Sequence, residues 1–154
     1  TNVIDCGARK ITATGNSGNN EVLRVYSITT SQLSQDCATV SVAGAVVGGT
    51  GSTELRGVSL TRTCLNALNI DKLSVAWTPN LGEKITQVTI GGISVYNDAT
   101  GTLSGVPINI TDYRFTNSAT VDAIVFNSSI VGKRVTLTFT FTDSCSVVCA
   151  EKQL

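Results

Sequence analysis

Five cysteines, Cys6, Cys37, Cys64, Cys145 and Cys149, carry the most reactive side chains in this 154-residue sequence. Thiolates bind metals, exchange electrons or close disulfides, and spacing separates these uses. Cys145 and Cys149 stand close enough to read as a metal or redox pair, but a tetrahedral zinc site takes four ligands and no second close pair exists. Scattered cysteines fit structural disulfides in an oxidising compartment, the disulfide-rich intracellular proteins of hyperthermophiles being the exception. Five cannot all pair within one chain, so all five are candidates and the connectivity stays open. At least one of Cys145 and Cys149 is expected to be bridged to a distant cysteine.

The chain contains no histidine, which removes the commonest general base and metal ligand and excludes Ser-His and Cys-His catalysis. Asp71, Asp98, Asp112 and Asp122 hold the carboxyl groups a glycosidase would need, but scattered loop aspartates are ordinarily turn formers. Gly48 to Ser52 is glycine-rich, yet cradling phosphate requires a following helix and a lysine at the right offset, so it reads as a turn. Asn97 to Gly101 has some likeness to a calcium loop but lacks the alternating acidic positions and terminal glutamate, and also reads as a turn. Trp77, Tyr96 and Tyr113 could together line a sugar site, although Trp77 shares an apolar face with Leu73 and Val75 and reads as core. Asn109 and Asn127 head Asn-X-Ser/Thr triplets, candidate N-glycosylation sites. No residue is assigned to catalysis, a cofactor or a metal, and the expectation is a non-enzyme without cofactors.

The elements that must carry these residues read as strands. From Lys133 to Asp143, Val135, Leu137, Phe139 and Phe141 alternate with Thr136, Thr138, Thr140 and Thr142, the two-residue period of a strand with one buried and one wet face. The rest of the fold must supply an apolar layer against it. Further strands are expected at Ile11 to Thr14, Glu21 to Thr30, Ala38 to Val47 with a bulge or close backbone approach at Gly44, Glu54 to Thr63, and from Leu73 through Trp77. Lys84 to Ile90 and Ile93 to Tyr96 flank Gly91 and Gly92, whose freedom to adopt positive φ marks a two-residue hairpin. Pro107 beside Ile108 to Ile110 marks an edge strand, and Tyr113 to Thr116 and Val121 to Phe126 complete the set. Ser31 to Asp36 is the one candidate helical turn, and Cys64 to Ile70 is too mixed to assign.

Composition bounds the partners. Eleven basic and eleven acidic residues cancel, so the field that nucleic-acid binding requires is missing. Twenty-two threonines and fifteen serines, counted against 42% hydrophobic residues, are the makeup of wet-faced β-structure. No stretch approaches the roughly twenty apolar residues of a membrane helix. The absence of Met, with Thr1 first, leads to the expectation of a processed and exported chain at the cell surface or beyond.

Leu73 to Asn80, Lys84 and Ile85 through Ile90 to Gly92, Phe126 to Ser129, and Gly132 with Lys133 leading into the threonine-alternating strand resemble the β-rich globular domains of pilin-like surface filament subunits of archaea and bacteria. The match covers roughly Asp71 to Asp143. Such pilins begin with a long apolar helix carrying a glutamate near its start, where this chain has Asp5 followed by Cys6 to Lys10. Three explanations stay open: a helix cut away, a helix on a separate pilin chain, or assembly by exchange of an extended terminal strand.

The expected fold is all-β, a single mostly antiparallel two-sheet sandwich of about seven to ten strands, immunoglobulin-like or pilin-like, over residues 1–154. Residues 1–14 are an extended segment whose Val3, Ile4 and Ile11 are candidate contacts with a neighbouring subunit. The resemblance implies a structural subunit that self-associates into a homopolymer; the alternative is a secreted carbohydrate-binding or adhesive domain.

Overall fold

A computed structural model describes residues 10–16, 24–31, 37–143, 146–148 and 152–154. These form fourteen strand segments with no helix of membrane-spanning length or character. Every pairing is antiparallel. The segments exceed the expected number because bulges and glycines cut several strands in two. Strands β3 (Ala38–Ser41) and β4 (Val46–Gly48) lie end to end, facing β6 (Val58–Arg62) and β5 (Glu54–Arg56) respectively. Gly57 divides β5 from β6 at a φ of 78°, and a side chain there would collide with the carbonyl of Gly44, where a bulge or close backbone approach was expected.

Two sheets result. The first runs β10 (Ile108–Phe115), β7 (Leu68–Thr78), β12 (Arg134–Phe141), with β13 (Ser146–Val148) and β14 (Lys152–Gln153) sharing the far edge of β12. The second is built on β11 (Ser118–Phe126), with β5 and β6 along one edge, β8 (Lys84–Ile90) along the other and β9 (Ile93–Leu103) outside β8. The fold is therefore the expected all-β two-sheet sandwich. Gly91 and Gly92, at φ 56° and 78°, make the expected hairpin between β8 and β9. Beginning just after Pro107, β10 is the expected edge strand.

Strand β12 occupies the middle of its sheet, and Val135, Leu137, Phe139 and Phe141 are all buried. Leu73, Val75 and Trp77 on β7 continue that inner face. Leu55, Val58, Leu60, Ile85, Val88, Ile90, Val121 and Ile124 face it from the second sheet. A bridge joins Cys37 to Cys64 across the start of β3 and the residue run after β6. Closing a separation of 27 residues, it stabilises by about 3.5 kcal/mol in the chain-entropy account.

Three expectations are corrected. Cys64 to Ile70, left unassigned, contains the start of β7 at Leu68. Against β12, Ile70 pairs Phe141 and Lys72 pairs Thr140, so Asp71 is an extra residue that resets the alternation between Ile70 and Leu73. Asn97 to Gly101 lies within β9, and its Asp98 to Gly101 form a bulge of that strand opposite Thr86. Ile108 to Ile110 and Tyr113 to Thr116, read as two strands, are one strand to Phe115 with an irregular register.

Strands β1 (Lys10–Asn16) and β2 (Arg24–Ser31) pair with each other in a two-stranded sheet separate from the other two. Ser31 ends β2, and the rest of the candidate helical turn lies outside the described residues.

Replacing Phe139 by Ala should cost about 3 to 5 kcal/mol, the usual range for a fully buried phenylalanine. Urea denaturation checks this; a loss under about 1 kcal/mol would mean β12 is not the centre of the core.

Candidate functional site

The one buried charged cluster among the described residues sits at the end of the sandwich where β7 finishes and β8 and β12 begin. It grows out of strand periodicity. Trp77 is the last inward residue of β7, and the chain turns through a cis Thr78–Pro79 peptide and Asn80 to Gly82 before Glu83. Gly82 donates its backbone N–H to Asn80 Oδ1 at 3.1 Å, which tightens the turn. Lys133 precedes β12 with the same parity as Val135 and Leu137, so it points inward too. Glu83 and Lys133 are only 6% and 4% exposed.

Two ionic groups this deep require each other. Lys133 Nζ lies 2.7 Å from Glu83 Oε1 and donates to the carbonyl of Pro79, also at 2.7 Å. The other carboxylate oxygen accepts the indole N–H of Trp77 at 3.1 Å and the backbone N–H of Leu81 at 2.9 Å. Burial alone would raise the Glu83 pKa, but the hydrogen bonds from Lys133, Leu81 and Trp77 outweigh it and lower it from 4.5 to about 2. A carboxylate so fully engaged neither gives nor takes protons near neutrality, so the cluster is a clamp and not an acid–base centre.

Loops gather around the clamp. Ile130 N–H donates to Ser52 O at 3.0 Å, and Leu154 N–H donates to Lys133 O at 2.8 Å while Leu154 O accepts from Gly132 N–H at 3.0 Å. Ser104 Oγ accepts the backbone N–H of Trp77 at 2.9 Å, and Asn127 Oδ1 accepts that of Lys84, also at 2.9 Å. Leu81, whose own N–H is fastened to Glu83, is nevertheless 81% exposed.

The residues singled out from sequence lie elsewhere or serve structure. Trp77 is core, as expected: it is 2% exposed and meets the edge of the Phe126 ring at 5.1 Å, so it offers no stacking face for a sugar. Tyr96 and Tyr113 are half-buried and pack against the core from strands β9 and β10. Tyr96 exchanges a hydrogen bond with Thr102 Oγ1 at 2.8 Å, and the Tyr113 hydroxyl lies against Gly91. The aspartates are spread over four strands. Asp98 Oδ1 accepts from Thr100 Oγ1 at 2.7 Å and Thr100 N–H at 2.9 Å, which hold its pKa down and organise the β9 bulge. Asp122 accepts from Gly92 N–H at 2.6 Å at the hairpin tip, Asp71 pairs with Lys72 at 3.5 Å, and Asp112 is exposed on β10. No group of three metal-ligating side chains occurs among the described residues. Of the run Gly48 to Ser52, Gly48 ends β4 and the rest is a turn closed by Ser52 N–H donating to Gly49 O at 3.2 Å.

Asn109 and Asn127 are both exposed. Cys6, Cys145, Cys149, Val3 and Ile4 lie outside the described residues, and Ile11 pairs with Thr30 within the β1–β2 hairpin. Sequence reasoning missed Glu83 and Lys133. The signal was there: each is a charge at inward parity just ahead of a strand, one of each sign.

No protein-family model matches the chain, and comparisons with curated proteins and with solved structures find no match either.

Lys133→Met should cost about 3 kcal/mol or more by stranding Glu83. Because the folded-state pKa of Glu83 is depressed, its contribution is complete above about 4.5 and falls away as the pH drops toward about 2. The urea midpoint of the wild type should therefore decline more steeply across that interval than that of Glu83→Gln; parallel profiles would refute the clamp's ionic character.

Proposed function

We propose that the chain is a structural subunit of an extracellular, pilus-like surface filament, a homopolymer joined through the segment that carries β1 and β2. The observation that carries this reading is the β1–β2 hairpin, which among the described residues pairs with neither sandwich sheet. A lone two-stranded hairpin is marginal in water and gains by lying on another surface. In a filament that surface belongs to the next subunit, and repetition of one head-to-tail contact builds an open fibre.

Two further features support it. The Cys37–Cys64 bridge suits an oxidising, extracellular setting. The sandwich edges are also guarded against indiscriminate ladder pairing: β9 is bulged, β10 follows a proline and is irregular, and β3 and β4 are separated by a turn. Guarded edges favour assembly through a dedicated segment over edge-to-edge growth. Asn109, exposed on edge strand β10, is the better placed of the two glycan acceptors, since the side-chain oxygen of Asn127 is bonded to Lys84.

Thr12 and Thr29 face each other in the hairpin register, so proline at either should break it. Thr12→Pro and Thr29→Pro are expected to abolish polymers in electron micrographs while leaving the sandwich melting temperature within about 2 °C of wild type. A fall in melting temperature with polymers intact would place the hairpin in its own subunit's fold and defeat this reading.

A further inference from the structure

The triplets beginning at Asn109 and Asn127 share one acceptor pattern, yet the fold leaves the first open and engages the second. On β10, Ile108 and Ile110 are buried, so the two-residue period turns Asn109 and Thr111 together to the outer face, where both are exposed. Among the described residues nothing bonds the Asn109 carboxamide. Asn109 pairs Lys72 and Tyr113 pairs Ile70, so residues 110, 111 and 112 stand against the single residue Asp71. The ladder lets go at that bulge, and the backbone there can bend to bring the Thr111 hydroxyl to the Asn109 amide.

Asn127 is fastened instead. Its backbone N–H donates to Lys84 O at 3.0 Å, while its Oδ1 accepts the Lys84 N–H at 2.9 Å. Ser129 Oγ accepts the backbone N–H of Val131 at 3.4 Å, so the hydroxyl of that triplet is turned toward its own loop. Presenting the Asn127 amide to an enzyme would break the tie between the turn after β11 and the start of β8.

The position of Asn109 gives a glycan a task. Strand β10 is the edge of the first sheet, and Asn109 heads a row that continues through Lys72 to Thr140 on the outer face. Between that row and the one joining Thr78 to Arg134, the face carries Ser74, Ala76, Thr136 and Thr138, small uncharged side chains on which another sheet could stack. A hydrated oligosaccharide rooted at the rim excludes both a stacking sheet and a strand approaching the edge.

We infer that Asn109 carries an N-linked oligosaccharide that keeps the outer face of the first sheet from pairing with a neighbour, and that Asn127 stays bare. The transfer joins Asn109 Nδ2 to the anomeric carbon of a lipid-phosphate-linked oligosaccharide. The bond from that carbon to the phosphate oxygen breaks, the lipid phosphate leaves with the electron pair, and one amide proton is released. Such a modification rests on the extracellular setting of the filament reading, not on how its subunits join.

The test uses the full chain isolated from its own cells. Trypsin cuts after Lys84, Arg114 and Lys133, so the two acceptors fall on separate peptides, 85–114 and 115–133. Mass spectrometry should find the first shifted by the mass of a glycan and the second at its bare mass. Thr111→Ala should lose the glycan as completely as Asn109→Gln, whereas Thr111→Ser should keep it. Both glycan-free variants should keep the wild-type melting temperature, since the two side chains are exposed, and should move polymer from the high-speed to the low-speed pellet as filaments bundle. A bare 85–114 peptide, or a glycan on 115–133, overturns the assignment, while polymers in electron micrographs would leave the filament reading standing. Glycan-free polymer as dispersed as wild type overturns the shielding. A glycosylated wild type that never polymerises would defeat the filament reading and leave the Asn109 site intact.

Discussion

Glu83 and Lys133 carry opposite charges into a buried end of the sandwich beside Trp77, and neither could remain there alone. Desolvation of a single ion in such a place costs several kcal/mol, so each charge constrains the other's position and everything attached to it. The carboxylate gathers the end of β7, the turn after it and the start of β12 by accepting from Trp77, Leu81 and Lys133. The ammonium reaches across to the Pro79 carbonyl. Three chain segments that hydrophobic contact alone would leave free to slide are thereby fixed in register. An apolar pair of similar volume could match the stability, but it would lack the directionality that aims Leu81 outward.

That constraint matters because the two sheets meet through alternation, which specifies a face but not an end. Leu137 and Phe139 would remain buried if the loops beyond β12 wandered; Leu81 and Val131 would not keep a defined position. The disulfide plays the corresponding part at the other end, tying Cys37 to Cys64 beside Leu65.

Much of the fold was legible in the amino acids. The threonine-alternating strand, the Gly91–Gly92 hairpin, the proline-marked edge and the inward tryptophan all follow from local pattern, and each is realised. What resisted were places where one inserted residue shifts the phase. Asp71 breaks the run from Leu68 to Trp77, so the first half of β7 looked patternless, and Asp98 to Gly101 form a bulge whose composition is that of a turn. The clamp was illegible for a different reason: its members are fifty residues apart, and a charge at a strand's threshold is ordinarily solvated. Only the shared inward parity of Glu83 with Ile85 and of Lys133 with Val135 distinguished them, and parity becomes informative once both strands are known to face one core.

The clamp holds the Leu81 turn as firmly as the core. Amide hydrogen exchange followed by NMR tests it most directly, at the backbone N–H of Leu81 and the indole N–H of Trp77. Both donate to Glu83, although Leu81 projects into solvent. The account predicts that both exchange slowly, at rates approaching those of the β12 amides of Leu137 and Phe139, because only global opening frees them. Exchange of the Leu81 amide at the rate of an unprotected loop, with the β12 amides still protected, would contradict it.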